Sequence, residues 1–144
     1  MDTLLEAMKK YLATNFSFYL KLHFFHWNVE GMFFPQLHDF FGDLYNEIWT
    51  AHDDIAEHIR AIHGYAPGSL SRYQELTSIQ DQVDVVDARV MVGMAMADNE
   101  TVMDTIRNAY KAAEDAGEIG LANFLQDRLD IHKKHAWMLR ATAK

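Results

Sequence analysis

Four side chains in the first half of the sequence combine the residue types that bind divalent metals. His26 and His38 are twelve residues apart. Asp53 follows fifteen residues after His38, and Glu57 stands four residues further on. Imidazole and carboxylate are ligands that suit iron and related divalent ions. On a helix, Asp53 and Glu57 would share one face and could hold the same ion, so we take all four residues as candidate metal ligands.

The spacing of apolar residues predicts that helices carry these side chains. Leu5, Leu12, Tyr19 and His26 recur every seven residues, which is typical of one buried helical face. Pro35 suits the first turn of a second helix, and Gly64 and Gly117 follow natural helix ends. We expect four long helices, at residues 3–28, 35–63, 83–116 and 118–142, and a short helix at 72–77.

The lengths of the connections predict the topology of the bundle. Short first and third links make antiparallel hairpins, whereas the second link, 64–82, has about 19 residues and could span about 60 Å. That exceeds the ~42 Å length of the second helix, so the link can cross from one end of the bundle to the other. The sequence therefore predicts one domain, 1–144, with an all-α ferritin-like four-helix fold and a long crossover that contains the short helix.

The second helix carries two different faces. One is an ordinary core stripe, made of Leu37, Phe41, Leu44, Ile48, His52, Ile55, Ile59 and Ile62. The other lies a little over 100° away on a wheel of 3.6 residues per turn. It consists of His38, Gly42, Tyr45, Trp49, Asp53, Ala56 and Glu57. Aromatic rings mixed with a histidine and carboxylates are not the composition of a solvent face.

A single chain cannot close a metal site from these residues. The first hairpin brings His26 and His38 together, but fifteen residues of helix separate His38 from Asp53, a distance of about 22 Å. A second copy with an antiparallel second helix would place its Asp53 and Glu57 beside the histidines. A two-fold contact does this twice. The sequence therefore predicts a homo-oligomer with metal sites shared between subunits.

Ordinary structural roles are competing interpretations. Single histidines on the second helix (His52, His58 and His63) are more often hydrogen-bonded core residues than ligands. His132 and His135 stand three apart and could chelate, but a solvated, lysine-rich end of the last helix is the favoured interpretation.

Asp53 and Glu57 could equally be surface acids, with Arg60 as partner of Glu57. The methionines Met91, Met94, Met96 and Met103 are interpreted as core filler. On residue geometry alone, a four-residue metal site and an ordinary surface stay equally open.

Composition excludes several classes of protein. The 144 residues contain no cysteine, which rules out disulfides and thiolate metal sites and agrees with a reducing cytoplasm. No apolar run is long enough to span a bilayer, and no secretory signal opens the sequence. The net charge of −8 disfavours nonspecific binding to nucleic acid.

The stretches HWNVEGMFFPQLHDFF and DDIAEHIRAIHG, together with YQELTSI and KKHAWMLRA, resemble the mini-ferritins of the DNA-protection-during-starvation (Dps) family. The resemblance implies a hollow dodecamer with ferroxidase sites at two-fold interfaces. It also implies that Fe(II) is oxidised there, preferentially by hydrogen peroxide, and that ferric mineral is stored inside, which protects against oxidative damage.

The resemblance also implies individual roles. His26, with Asp53 and Glu57, would hold the tighter iron, and Glu57 would bridge toward a second ion near His38. Trp49 matches a family aromatic beside the site that could relay an electron or absorb a radical. Glu118 and Asp127 match acids that line the family's iron pores, although Asn123 stands where another acid is expected.

Two features depart from the family. Gly42 replaces an aspartate expected one turn after His38, so the second metal position lacks a carboxylate. The lysine-rich tail with which many members grip DNA is missing, and a dodecamer would carry roughly −96, twelve times −8. Both alternatives to iron storage follow from these departures: a DNA-coating protein with a weakened metal site, which the charge argues against, and a cage that binds zinc without redox turnover.

Overall fold

Five helices and no strands make up the computed structural model, which describes residues 1–144. They are α1 (Asp2–Asn28), α2 (Phe34–Ala61), α3 (Leu70–Leu76), α4 (Ala88–Asp115) and α5 (Ile119–Ala143). The four long helices form the bundle, and the short helix α3 lies in the connection between α2 and α4. The predicted all-α ferritin-like bundle with a long crossover is confirmed. No helix is long and apolar enough to cross a membrane.

The core lies between α1, α2, α4 and α5, where α1 packs against both α2 and α4, and α4 packs against α5. The predicted apolar stripe of α2 is buried throughout its leucine, isoleucine and phenylalanine positions. Met91 and Met103 are buried in the core, while Met94 and Met96 pack against its edge. The methionines are core filler, as predicted.

The end of α2 differs from the prediction. The helix stops at Ala61, and His63 rather than Gly64 adopts the left-handed backbone, with φ 74°. The N–H of His63 bonds to the Arg60 carbonyl and the N–H of Gly64 to the Ile59 carbonyl, which closes the last turn. Gly64 is needed for another reason: a Cβ there would lie 2.3 Å from Cδ2 of Leu5. It permits a close approach of α1.

The crossover is longer than predicted because α4 begins at Ala88 and not at residue 83. Val83 and Val85 are exposed and have no core to pack against, and their branched side chains disfavour a solvated helix. The short helix α3 begins at Leu70, two residues before the predicted start. Its N-terminus is capped by the Ser69 side chain, which accepts a hydrogen bond from the Arg72 N–H at 3.2 Å.

Candidate metal centre

His26 and His38 form a stacked pair at the hairpin between α1 and α2. The turn through Gly31, whose φ is 121°, brings the last turn of α1 against the first turns of α2. The two ring centroids are 3.8 Å apart and the ring planes differ by 18°. Each ring bonds to the other residue's backbone: Nδ1 of His26 is 2.6 Å from the His38 carbonyl oxygen, and Nδ1 of His38 is 2.7 Å from the His26 carbonyl oxygen.

These two hydrogen bonds fix the tautomer of both rings. A carbonyl oxygen can only accept, so each Nδ1 carries the proton and donates it. In the neutral ring the lone pair then lies on Nε2, which is the atom free to bind a metal. Ligating histidines generally donate the other ring N–H to a carbonyl or carboxylate, which orients the ring. We call His26 and His38 the imidazole pair; their hydrogen bonds are those that orient ligating histidines.

Gly42 lies directly beneath the imidazole pair. A Cβ built on Gly42 would be 3.2 Å from both Cε1 and Nδ1 of His26. The His26 ring therefore occupies the space that the aspartate expected from the family would need. Asp39 and Asp43 are exposed neighbours of Gly42 in α2. No carboxylate replaces the missing one from within this turn.

Aromatic side chains that the sequence analysis did not single out surround His26. Tyr45 stacks on His23 at 3.9 Å between centroids and meets His26 edge-on at 5.2 Å. The Tyr19 hydroxyl lies 2.9 Å from Nδ1 of His23. Burial, and secondarily the nearby His26, lowers the pKa of His23, which favours the neutral ring beside the tyrosine hydroxyl.

Trp49 joins this aromatic set through Tyr19, with ring centroids 4.6 Å apart. Tyr19 and Tyr45 then connect Trp49 to the imidazole pair. The helical spacing of Tyr19, His23 and His26 on α1 could have revealed this set, because residues three and four apart lie on the same face.

Asp53 and Glu57 come together on the exposed face of α2, as their spacing predicts. One carboxylate oxygen from each lies within 4.8 Å of the other, and Asp54, which the sequence analysis missed, joins them. We call Asp53, Asp54 and Glu57 the acidic group. Arg60, the alternative partner of Glu57, instead donates to the Gly64 carbonyl at 2.8 Å and stacks over the Tyr65 ring. The acidic group therefore faces solvent without a bound cationic side chain.

The imidazole pair and the acidic group lie at different levels of α2. Between His38 and Asp53 the helix rises by fifteen residues, about 22 Å. Within one chain, the two histidines lie together and the carboxylates lie together, but the histidines and the carboxylates remain far apart. Closing a site that contains both requires a second chain.

A second group of histidines and a carboxylate lies between α2, α4 and α5. We call it the inner cluster; its members are Glu47, Asn99, Arg128, His132 and His135. The prediction of a solvated end for His132 and His135 is wrong, because both are buried. Lys133 and Lys134 between them are exposed. The two histidines face inward on one side of α5. The prediction of a solvated face applies only to the lysines on the other side.

The side chains of the inner cluster bond mainly to one another. Arg128 makes two contacts with the Glu47 carboxylate, one at 3.0 Å, and its Nη2 donates to Nε2 of His132 at 3.2 Å. Nδ1 of His132 pairs with Asn99 Oδ1 at 2.7 Å, and Nε2 of His135 pairs with Glu47 at 2.7 Å. The guanidinium supplies the positive charge that a metal would otherwise bring.

The charges of the inner cluster are mutually stabilised. Burial alone would raise the pKa of Glu47, but the hydrogen bonds from His135 and Arg128 outweigh it and lower this pKa to about 2. Burial, and then the Arg128 charge, holds the pKa of His132 well below its ordinary value. The cluster is an ion-pair and hydrogen-bond network that ties α2 to α5.

The remaining histidines of α2 have structural surroundings. His52 accepts from Asn15 at 3.1 Å and donates from Nε2 to the Tyr73 hydroxyl at 3.0 Å, which fastens α3 to the bundle. Burial lowers the pKa of His52 to about 4, against the opposing effect of Asp53. His58 packs against Phe124 at 4.3 Å. The interpretation of His52 as a hydrogen-bonded residue is correct.

The proposed pore residues lie at the start of α5. Glu118 is the N-cap residue of that helix and is half-buried, while Asn123 and Asp127 are exposed. A pore would need several subunits, so Glu118 and Asp127 stay predictions.

The fold and the arrangement of histidines and carboxylates define a ferritin-like protein. Residues 5–144 match the family described as "Ferritin-like domain". The chain is 35% identical to DNA protection during starvation protein 2 of Bacillus anthracis, over 95% of this chain and 94% of that protein. It is 32% identical to general stress protein 20U of Bacillus subtilis, over 97% of each.

Solved structures give the same result. The crystal structure of the Dps protein of Vibrio cholerae, described as a member of a broad superfamily of ferritin-like diiron-carboxylate proteins, has a TM-score of 0.95. It is 26% identical to this chain and covers 99% of it, with 90% of that chain matched. The chain therefore belongs to the ferritin-like family and, within it, to the iron-binding Dps mini-ferritins.

Proposed function

We propose that this protein is a ferroxidase and iron-storage cage. It binds Fe(II) at sites shared between two subunits, oxidises it with hydrogen peroxide, and retains the ferric product as mineral. The observation that carries the proposal is the imidazole pair. Both rings donate Nδ1–H to a backbone carbonyl, so that Nε2 is the nitrogen that can bind a metal.

The acidic group supplies the other half of the site in this proposal. Two neutral imidazoles and the Asp53 and Glu57 carboxylates form the mixed nitrogen and oxygen set that suits Fe(II). The anionic oxygens also favour the Fe(III) product over Fe(II), because they stabilise the higher charge. Because about 22 Å of helix separates the halves, the carboxylates come from the partner subunit, and a two-fold dimer contains two such sites. A closed cage of such dimers is the dodecamer that the family suggests.

The chemistry consumes two harmful reagents together. Two Fe(II) ions each give one electron to one hydrogen peroxide molecule, which takes up two protons and becomes two molecules of water. The substrate iron then leaves the site as Fe(III), which hydrolyses to mineral. Without such a site, the same reagents would form hydroxyl radical and damage other molecules in the cytoplasm, where we place the protein.

Trp49 has a protective role in this proposal. It lies half exposed next to Tyr19, and the Tyr19–Tyr45 contacts lead to His26. An oxidising equivalent that escapes the site can be transferred to these rings and reduced by a further Fe(II). Trp49 is not proposed as a ligand.

Stopped-flow measurement of Fe(II) oxidation, with peroxide and with oxygen, tests the activity. We expect His26→Ala and Asp53→Ala each to lose the fast phase seen in the wild type, and His63→Ala to keep it because His63 lies exposed beyond the end of α2. A wild type no faster than the two ligand variants would refute the ferroxidase assignment.

A mixing experiment tests the shared site. In a dimer of one His26→Ala chain and one Asp53→Ala chain, one site loses both changed residues and the other keeps all its ligands. Unfolding and refolding the two variants together in equal amounts should therefore restore about a quarter of the wild-type sites, because half the dimers are mixed and half their sites are intact. No recovery of the fast phase would place all the ligands within one chain.

A further inference from the structure

Gly42 stands at the point where the His26 ring contacts α2. Within a helix, the N–H of Gly42 bonds to the carbonyl four residues earlier, which is that of His38. The same carbonyl oxygen accepts the Nδ1–H of His26 at 2.6 Å. A carbonyl has two lone pairs and can accept both. The hydrogen bond that fixes the tautomer of His26 is therefore made to a helical carbonyl that is already in use.

The His26 ring reaches that carbonyl by lying over the Cα of Gly42. A Cβ at this position would be 3.2 Å from both Nδ1 and Cε1 of the ring, closer than the ~3.5–4.0 Å of an ordinary carbon contact. The ring has little freedom to withdraw, because His38 stacks on it at 3.8 Å and Tyr45 meets it edge-on at 5.2 Å. Any side chain at position 42 must press on the ring or on its hydrogen bond.

The backbone gives no other reason for glycine at this position. Gly42 lies inside α2 and is not among the residues with positive φ, which are His63, Gly31 and Gly117. A glycine inside a helix costs about 1 kcal/mol relative to alanine. The structure thus shows one gain from this residue, the close approach of His26.

We propose that Gly42 is a positioning residue for the metal centre. By having no side chain, it leaves the His38 carbonyl accessible to the His26 imidazole, and the resulting hydrogen bond fixes His26 in its metal-binding tautomer. The use of the imidazole pair in iron oxidation rests on the proposed function, whereas the positioning of His26 by Gly42 does not. Position 42 thus lacks the anionic ligand expected from the family and in its place gives the His26 ring room to reach the His38 carbonyl.

The test compares Gly42→Ala with Gly93→Ala. Gly93 also lies inside a long helix, is exposed, and has nothing within 4 Å of a Cβ built on it. Both changes add one methyl group and raise helix propensity equally. Thermal unfolding of both variants at or above the wild-type temperature would show that any loss of metal binding is not a loss of fold.

The first readout needs no metal and no activity. Magic-angle-spinning NMR of metal-free protein with ¹⁵N-labelled histidine reports which ring nitrogen carries the proton, and His26→Gln assigns the signal. We expect Nδ1–H in the wild type and in Gly93→Ala, and a mixture of tautomers for His26 in Gly42→Ala. An unchanged His26 signal in Gly42→Ala would overturn the proposal.

The second readout is the affinity for Zn²⁺, a redox-silent probe, measured by calorimetry. Loss of a hydrogen bond that orients a ligand typically weakens metal binding 10–100-fold. We expect about a tenfold loss in Gly42→Ala and no more than a twofold change in Gly93→Ala. Gly42→Asp should also bind Zn²⁺ more weakly than the wild type, because its Cβ meets the same ring. Tighter binding by Gly42→Asp would show that the site lacks a ligand at position 42 and that Gly42 does not position His26. A wild-type protein that has the Nδ1–H tautomer at His26 and binds zinc but does not oxidise Fe(II) would refute the proposed function. The positioning role of Gly42 would then still hold.

Discussion

The imidazole pair and the inner cluster contain similar residues and have opposite chemical states. Each brings two histidine rings close together, with centroids 3.8 Å apart in the imidazole pair and 5.3 Å apart in the inner cluster, and each includes one residue of α2, His38 or Glu47. In the inner cluster Arg128 and Asn99 occupy the His132 nitrogens, and Glu47 occupies Nε2 of His135. In the imidazole pair each ring uses only Nδ1, and the partner is a backbone carbonyl. The partners of the rings, and not the residue types, distinguish the two regions: charged and polar side chains hold the histidines of the inner cluster, whereas only backbone carbonyls hold the imidazole pair.

The difference also separates stability from function. The inner cluster joins distant helices through buried charges, whose removal leaves other charges unpaired. The imidazole pair sits at the edge of the bundle with the acidic group still about 22 Å away along α2. We expect substitutions in the inner cluster to change the free energy of unfolding, and substitutions at the pair to change metal binding.

The largest effect is expected for Arg128→Met, which removes the guanidinium that pairs with the Glu47 carboxylate. Breaking a buried ion pair from one side costs about 3–5 kcal/mol, and about 3 kcal/mol is expected because part of the Glu47 side chain is exposed. Urea unfolding measures the change. Arg107→Met is the control, since Arg107 pairs with Asp104 on the surface and should contribute less than about 0.5 kcal/mol. Equal losses in the two variants would show that the cluster does not stabilise the fold.

The second effect is a difference in metal affinity between two matched substitutions. His26→Gln removes a proposed ligand, and we expect zinc affinity to fall by about 100-fold, at or beyond the upper end of the loss from an orienting hydrogen bond. His135→Gln keeps a side-chain amide that can donate to Glu47, and we expect zinc affinity within twofold of the wild type. Calorimetry measures both. A larger loss for His135→Gln would reverse the assignment of the two regions.

Much of the fold could be predicted because it depends on periodicity. Apolar spacing located all four long helices, and the length of the crossover indicated the topology. The predicted helix ends are wrong where the local sequence pattern and the packing of the folded chain favour different conformations. Residues 83–87 continue the helical pattern, but Val83 and Val85 have no core to cover them. Beyond the end of α2, His63 takes the left-handed conformation and Gly64 leaves room for Leu5 of α1, a contact distant in sequence that no local pattern contains.

The site was predictable in its residues and not in its hydrogen bonds. Spacing placed His26 near His38 and Asp53 near Glu57, and helical rise separated the two halves. The state of each histidine depends on atoms contributed by other helices: Asn99 and Glu47 for the inner cluster, a backbone carbonyl for the pair. The role of Gly42 likewise appears only when the His26 ring is in place.

A third effect is an acid dependence that belongs to the inner cluster alone. The pKa of Glu47 is lowered from 4.5 to about 2 in the folded chain. Its contribution is therefore fully present above about pH 4.5 and is lost as the pH falls toward 2. The shift corresponds to at most about 3 kcal/mol, and solvent screening reduces it to about 2 kcal/mol. Glu47→Gln cannot titrate, so the difference in unfolding free energy between wild type and Glu47→Gln should shrink by this amount between pH 5 and pH 2.5. A difference independent of pH would show that the Glu47 charge does not stabilise the cluster.

The smallest effect concerns where oxidation damage appears. Trp49 and Tyr19 are connected to the imidazole pair through Tyr45, whereas Tyr11 is connected to the inner cluster through Arg128. After Fe(II) and peroxide are added, mass spectrometry should find oxidised side chains at Trp49 in the wild type and at Tyr19 in Trp49→Phe. Zinc affinity should stay within twofold, because Trp49 is not a ligand. Trp137→Phe, a change at a similarly exposed tryptophan on α5, should leave the pattern unaltered. Oxidation at Tyr11 equal to that at Trp49 would mean that the oxidant is not formed at the imidazole pair.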